Sequence, residues 1–303
     1  MINKIIRKLR HVFLNEKAVQ KTYDGWKQKN YRHRPSVSFV IQSHNRSENV
    51  IHIVEKLRQQ LDSEIIVIDD GSVLEHLNRL GKHLNRANEF LLRCNDLYEV
   101  ITYDRALNLA NGNYVALLQD DDDFDDLTWV GEAIQYFEQD PLLAILGGRD
   151  GANLLPFDVD NTELRGEFVI ESKVAYRTNS FKLQIVADGL SSTGLTYVHY
   201  VDRAPMWLRR TQFKTVLKSI DINFAPFQWD DAEVCMRAWI SGLHVGHYSA
   251  RFKLGKLGTG GMQIWNNELH HRQDEVNIRR VYETYGSKLP YINALVEQCN
   301  QTY

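Results

Sequence analysis

Apolar and polar positions alternate in two rhythms along the first half of the chain. Val37–Ile41 is a short, nearly unbroken apolar run and predicts a buried strand. Glu48–Gln60 places Val50, Ile53, Val54 and Leu57 at three- and four-residue steps and predicts a helix. The same alternation continues. Strands are expected at Glu64–Ile68, Phe90–Leu92, Tyr114–Leu118 and Leu142–Leu146, and helices at a polar stretch after Ser72, at Ile101–Ala110 and at Leu127–Glu138. Gly112, just past one helix, reads as a stop signal. Strand–helix alternation builds a mostly parallel sheet with helices on both faces. Ligands of such sheets bind outside the carboxyl ends of the strands.

The second half is less regular. Residues 157–192 predict loops and short strands. Order returns at Val198–Leu208, a helix at Ala232–Ser241 ended by Gly242, and a strand at His244–Tyr248. A Gly-rich loop spans Gly255–Gly261, and Asp274–Tyr285 predicts a final helix. The expected organisation is a basic segment over 1–34, a regular half over 35–150, a less regular half over 151–270 and a helical end over 271–303.

Charge changes this picture at one end. The 303 residues carry a formal net charge of −3, which gives no strong pull toward nucleic acid. Residues 1–34, however, hold ten Lys or Arg against two Asp or Glu, a local +8 that leaves −11 on the rest. Ile2, Ile5, Ile6, Leu9, Val12 and Phe13 recur there at helical spacing with basic residues between them. Such a helix suits an anionic membrane surface, or packs on the body or on another subunit. No apolar run approaches bilayer length, and no signal peptide is recognisable. Cys94, Cys235 and Cys299 are widely separated, which fits a reducing compartment and a cytoplasmic protein.

Three acidic clusters carry the candidate chemistry. Asp120-Asp121-Asp122-Asp123 follows the apolar strand Tyr114–Leu118. Adjacent carboxylates repel one another unless a cation or solvent relieves them, and hard cations such as Mg²⁺ or Mn²⁺ take oxygen ligands and bridge to phosphates. A solvated acidic loop is the other reading. Asp69-Asp70-Gly71-Ser72 ends another strand, where a carboxylate can meet a base or ribose or else form a turn. Trp229-Asp230-Asp231-Ala232-Glu233 opens a helix, where a carboxylate serves as an N-cap or as a general base.

In their order these motifs resemble the family 2 glycosyltransferases of the GT-A fold. Val37–Arg46 is similar to that family's opening strand and turn, Ile65–Ser72 to its second-strand motif, and Leu118–Asp122 to its metal motif. Trp229–Glu233 resembles its base-bearing motif, in a form similar to bacterial galactofuranosyltransferases. The resemblance covers roughly residues 36–285.

What it implies is a Rossmann-like GT-A sheet and a metal-dependent, inverting transfer of sugar from a nucleotide-sugar donor, with UDP the default nucleotide. Gln42, His44 and Asp70 fall where the family meets base and ribose. Asp120 and Asp122 fall on the metal ligands, Asp121 faces the donor, Asp231 is the base and Asp230 orients the acceptor. Gln42 and His44 replace the usual Pro and Tyr. Tyr103-Asp104 stands where Arg-Asn is common, which leaves Arg105 as the phosphate-side cation. His270 or His271 stands for the family's late metal-binding histidine, though adjacent histidines in a polar stretch are commonly surface residues. Trp207 and Trp229 are candidates to stack on an acceptor sugar, or ordinary core aromatics. Arg209 or Arg210 could meet a phosphate, or be solvated. A saccharide or lipid-linked acceptor in cell-surface polysaccharide assembly is the expected partner. A sugar nucleotidyltransferase would carry a Gly-rich basic loop where Ser43-His44-Asn45-Arg46 stands. A non-catalytic binding module would not need both the metal carboxylates and the separate Asp230-Asp231 pair.

Overall fold

The structure is a computed structural model that describes residues 35–156, 168–170, 173–175, 181–190, 193–255 and 267–302; from Ser36 on they belong to one compact unit. The expected basic helix of residues 1–34 and most of the Gly-rich loop lie outside the described residues. Strand and helix alternate as β1 (Val37–Ser43), α1 (Ser47–Leu57), β2 (Ser63–Asp70), α2 (Leu74–His83), β3 (Glu89–Cys94), α3 (Tyr98–Leu109) and β4 (Tyr114–Leu118). After β4 come a two-residue strand β5 (Asp122–Asp123), α4 (Thr128–Gln139) and β6 (Leu143–Gly147).

The second half supplies β7 (Asp150–Pro156), the hairpin β8 (Phe168–Ile170) and β9 (Lys173–Ala175), β10 (Phe181–Asp188), β11 (Thr196–Tyr197), β12 (Tyr200–Val201) and β13 (Met206–Arg209). It ends in α5 (Asp230–Ile240), β14 (His244–His247), β15 (Lys253–Leu254), α6 (Asn267–Tyr285) and α7 (Leu289–Thr302).

Eight strands form the central sheet in the order β11-β14-β6-β13-β4-β1-β2-β3. The β1–β2, β1–β4, β2–β3 and β14–β6 pairs are parallel, as the alternation predicts. β13 enters antiparallel between β4 and β6. Every residue of β1 and β2 is buried, which is why these strands read as apolar runs without alternation. α1 covers the sheet with Val50, Ile53, Val54 and Leu57, and α4 with Trp129, Val130, Ala133 and Phe137. Phe39, Trp129 and Trp207 form an aromatic cluster with ring centroids 5.3–6.3 Å apart.

Gly112 does more than end a helix. A Cβ there would stand 2.5 Å from the Ser38 amide. Its own amide donates to Ser38 Oγ at 2.7 Å, and Ser38 Oγ donates to the buried Glu64 carboxylate at 2.6 Å. The Asn111 amide also donates to Glu64, at 2.6 Å. These bonds satisfy a charge at the N-terminal edge of the sheet. The chemistry therefore belongs to the other edge, where β1, β2 and β4 end. A second sheet, β10-β7-β12, and the β15–β5 pair flank that edge.

Candidate active site

The acidic run is not a solvated loop. Asp120, Asp121 and Asp122 are 7, 8 and 4 % exposed. Backbone geometry holds them there. The His44 amide at the end of β1 donates to Asp120 Oδ2 at 2.7 Å, and the Gln119 amide donates to Asp122 Oδ2 at 2.8 Å. The Asn49 side chain donates to the carbonyls of Asp120 and Asp122, and the Gly255 amide donates to the Asp121 carbonyl at 2.6 Å. Burial pushes the Asp120 carboxyl up to about 7, with the His44 amide opposing and the Asp121 charge adding. Burial also raises Asp122 well above the usual carboxylate range, again with Asp121 adding. The fourth aspartate has a different task. Asp123 pairs with Lys56 at 2.6 Å, which outweighs its partial burial and holds its carboxyl low.

Among the described residues, no three His, Cys, Asp or Glu side chains form a ready-made metal cage. The donor set nevertheless fits a hard divalent cation completed by substrate. Asp120 and Asp122 offer two oxygen ligands whose ionisation is disfavoured until positive charge arrives. Mg²⁺-type ions are commonly held by one or two carboxylates plus substrate phosphates. The side chains of His270 and His271 lie outside the described residues; their backbone is in the first turns of α6.

α5 presents the second acidic group. Trp229 precedes it in the left-handed conformation, φ 65°, directly after Gln228 at φ 76°. Two successive non-glycine residues there are strained. The buried Asn277 side chain of α6 clasps the loop by donating to the carbonyls of Phe224, Phe227 and Gln228 at 2.8–2.9 Å. Trp229 Nε1 donates to Asp274 at 2.5 Å, and its half-buried ring lies 6.1 Å from that of Tyr200. Asp230 is fully buried and accepts from Arg203 Nη2. Asp231 is half-buried, with Oδ1 accepting the Ala232 amide at 2.8 Å. Burial pushes its carboxyl up to about 7; Arg203 opposes the shift, and Asp230 and Glu99 add to it.

Arg203 joins the two halves; the sequence placed it only within the stretch Asp202–Arg210 that the resemblance puts at the acceptor pocket, with no role of its own. It leaves β12 through a turn ended by a cis Ala204–Pro205 bond. Its guanidinium stacks 4.9 Å over the Tyr103 ring and reaches Glu99 at 3.4 Å as well as Asp230. Tyr103 in turn donates to the carbonyl of Leu118, the last residue of β4, at 2.8 Å. Asp202 beside it, named in the same stretch, likewise had no individual role. Burial pushes its carboxyl up to about 7, with Asp231 and Asp150 adding. The signal was the Asp202-Arg203 pair inside an otherwise apolar stretch.

Three expected roles are corrected by position. Asp70 does not present its carboxylate to a ligand: it is 1 % exposed, and its oxygens accept the amides of Leu97 and Tyr98 at 3.0 and 2.7 Å. Asp70 thus caps the start of α3. Arg105 faces solvent on the outer side of α3, with its side chain 71 % exposed. At about 100° per residue it stands roughly opposite Tyr103; the cations beside the site are Arg46 near Asp120, Arg149 near Asp122 and Arg203 near Asp231. Trp207 lies in the middle of the sheet, fully buried, and donates Nε1 to Tyr248 Oη at 2.9 Å. It belongs to the core and cannot stack on an acceptor.

Replacing Trp207 by Ala should therefore cost about 3–5 kcal/mol of stability in urea unfolding. Trp207→Phe should leave acceptor kinetics unchanged. A rise in acceptor KM in a well-folded Trp207→Phe protein would restore the pocket role.

Gln42 is buried at the end of β1. His44 sits half-buried in the turn, with both ring nitrogens engaged: Nδ1 faces the Asp70 carbonyl at 2.6 Å and Nε2 the Asn45 amide nitrogen at 3.0 Å. That arrangement requires the Nδ1–H tautomer, with Nδ1 donating and Nε2 accepting. Arg209 is bound to the carbonyls of Phe137, Asp140 and Leu143, and Arg210 to that of Ala110, so both serve the scaffold.

A mostly parallel sheet carrying a buried acidic turn after β4 and a helix-borne carboxylate pair defines a GT-A fold. Residues 38–202, just over half of the chain, match the family described as Glycosyl transferase family 2, and the protein belongs to that family. No curated protein sequence matches it. Among solved structures it resembles Staphylococcus aureus TarS residues 1–349 in complex with UDP-GlcNAc, with a TM-score of 0.50 and 16 % identity over 76 % of this chain and 61 % of that one. A weaker likeness, TM-score 0.31 and 14 % identity over 39 % of this chain and 44 % of that one, is to glucosyl-3-phosphoglycerate synthase from Mycobacterium tuberculosis in complex with Mn²⁺, UDP and glucosyl-3-phosphoglycerate. The chain thus spans about three-fifths of the length of the TarS structure. Among the described residues, no helix is long and apolar enough to cross a membrane.

Proposed function

We propose that this glycosyltransferase is an inverting, divalent-metal-dependent enzyme that moves a sugar from a nucleotide-sugar donor to an acceptor hydroxyl of a saccharide or lipid-linked glycan. One observation carries the reading. The buried acidic turn Asp120–Asp122 and the Asp230–Asp231 pair are joined at one end of the sheet through Leu118, Tyr103 and Arg203.

The residues divide the work accordingly. Asp120 and Asp122 would hold Mn²⁺ or Mg²⁺ against the donor's diphosphate, and Asp121 faces the sugar side. The cation supplies charge neutralisation for the departing nucleoside diphosphate. Gln42 and His44 lie where the nucleobase would enter. With Asp70 closed off, the support for uridine is the likeness to TarS, whose structure holds UDP-GlcNAc. Asp230, fully buried against Arg203, holds the start of α5 rather than meeting the acceptor as the resemblance implied, and Asp231 takes the proton of the acceptor hydroxyl as that oxygen attacks the anomeric carbon from the face opposite the leaving group. Attack from that face inverts the configuration. Trp229, at the rim beside Tyr200, is the remaining aromatic candidate for the acceptor ring.

Incubation with UDP-, GDP- and dTDP-sugars and Mn²⁺ tests this directly. Slow release of nucleoside diphosphate, stopped by EDTA, is the expected result. Pyrophosphate exchange without sugar release would favour a nucleotidyltransferase, and tight binding without turnover a binding module.

A further inference from the structure

The second acidic group is not self-sufficient. Around Asp231 stand Asp230 and Cys235 on its own helix, Glu99 on α3, and Tyr200 and Asp202 at β12, with Asp150 and Arg149 at the start of β7 acting on Asp202 in turn. Asp230, Glu99, Asp202 and Asp150 among them are carboxyls. Arg203 is the cation that acts most strongly on Asp231. It is 7 % exposed and makes three different contacts: a salt bridge to Asp230, a second to Glu99 and a stack on Tyr103. A planar guanidinium can serve all three at once, which an ammonium cannot. Two atoms of the network, Arg203 Nε and Asp230 Oδ1, are buried without a hydrogen-bond partner among the described residues. A donor and an acceptor are thus left open in the same ion pair, directly before Asp231.

We propose that Arg203 is the positioning residue of the active site: it ties Asp230, and with it the start of α5 that carries Asp231, to Glu99 and Tyr103 of α3, whose Tyr103 hydroxyl reaches the end of β4 just before the acidic turn. This rests on the transferase reading above. Arg203 touches neither reacting bond. The acceptor O–H bond breaks toward Asp231, the new O–C bond forms at the anomeric carbon, and the C–O bond to the diphosphate breaks with its electron pair. Arg203 acts through Asp231 and Asp230.

Two charge-removing changes push Asp231 in opposite directions. Arg203→Gln removes the charge that favours the carboxylate, so the acidic limb of the pH–rate profile should move to higher pH. Each unit of such movement lowers the ionised fraction about tenfold below the midpoint. A loss of about tenfold or more at pH 7 that narrows steadily toward pH 9 is expected. Glu99→Gln removes a charge that disfavours the carboxylate, so the limb should move to lower pH. Activity is measured as donor turnover with acceptor present. Titration of the Asp231 carboxyl, followed by ¹³C NMR in labelled protein and assigned by its disappearance in Asp231→Asn, gives the same shifts without any turnover.

A deficit in Arg203→Gln that stays constant from pH 6 to 9, in protein of native circular dichroism, would overturn the proposal. An Asp231 titration that moves in neither variant would do so too. If Arg203→Gln does not fold, Glu99→Gln alone decides, by a downward shift or none. If no nucleotide sugar turns over with wild-type protein, the transferase reading fails, while the NMR shifts still test whether Arg203 governs Asp231.

Discussion

Asp231→Asn is expected to abolish transfer while leaving nucleotide and metal binding intact. A general base contributes about 10²- to 10⁴-fold, and an amide cannot accept the proton, so turnover should fall by about that factor. The substitution preserves volume and keeps an oxygen to accept the Ala232 amide, so α5 should start as before. The acidic turn is built by His44, Gln119 and Asn49, none of which contacts Asp231, so donor affinity with Mn²⁺ should change little. Wild-type activity should rise with pH through about 7 and then level, because the base works only when deprotonated. The residual activity of the variant should lack that rise.

Stability gives a second readout of the same group. The Asp231 carboxyl titrates near 7 in the fold against an ordinary value of 3.8. A carboxyl raised by folding leaves the unfolded chain to ionise first. It therefore costs the native state stability progressively as pH rises from about 4 to 7. Asp231→Asn removes that cost, so its Tm should match wild type near pH 4 and exceed it at pH 8. Near-normal turnover together with an unchanged Tm difference across pH would remove Asp231 from the mechanism.

The parallel part of the sheet was legible because its strands are buried on both faces and its helices are covered on one. The two periodicities differ clearly from Val37 to Leu146. β13 was not legible as an antiparallel insert, since Met206–Arg209 carries no mark of direction. The long pair β7–β10 was not foreseen either. Its bulge between Ile185 and Ala187 breaks the alternation that would reveal it. The last helix, α7, shows its buried Leu289, Ile292, Val296 and Cys299 only once its docking against the body is known.

The site divides in a similar way. Clusters of like charge at strand ends and helix starts are visible in any sequence. What a carboxylate is bonded to is not, and Asp70 and Asp122 look alike on paper. One caps α3 through two amides, and the other lies in a buried turn with neighbouring charges that raise it. The ion pairs of Arg203 were not legible because its partners, Glu99 and Asp230, are 104 and 27 residues away. Such a pairing is created by the fold alone.

The sharpest test of the acidic turn is Asp122→Asn. Asp122 is 4 % exposed, and burial disfavours its charge. The folded carboxyl is raised above its unfolded value, so in wild type it costs stability as pH rises above the unfolded range and until the folded group has ionised. An asparagine keeps an oxygen for the Gln119 amide and removes that cost. Without metal, the variant should therefore melt at or above the wild-type temperature at pH 7.5. With metal and nucleotide the order should reverse. Ligand at 100 times its Kd adds about 2.7 kcal/mol to wild-type stability, through a shift that depends on the cation. Loss of a first ligand should leave only a small fraction of it. Isothermal titration of nucleoside diphosphate with Mn²⁺ should show affinity reduced by about tenfold or more, since one lost charge-assisted contact of about 1.5–3 kcal/mol has that effect. Affinity in EDTA should be the same in both proteins. A variant that lost stability without metal, yet kept the full Mn²⁺-dependent shift, would show that Asp122 is a structural acid, and the cation would have to be sought elsewhere.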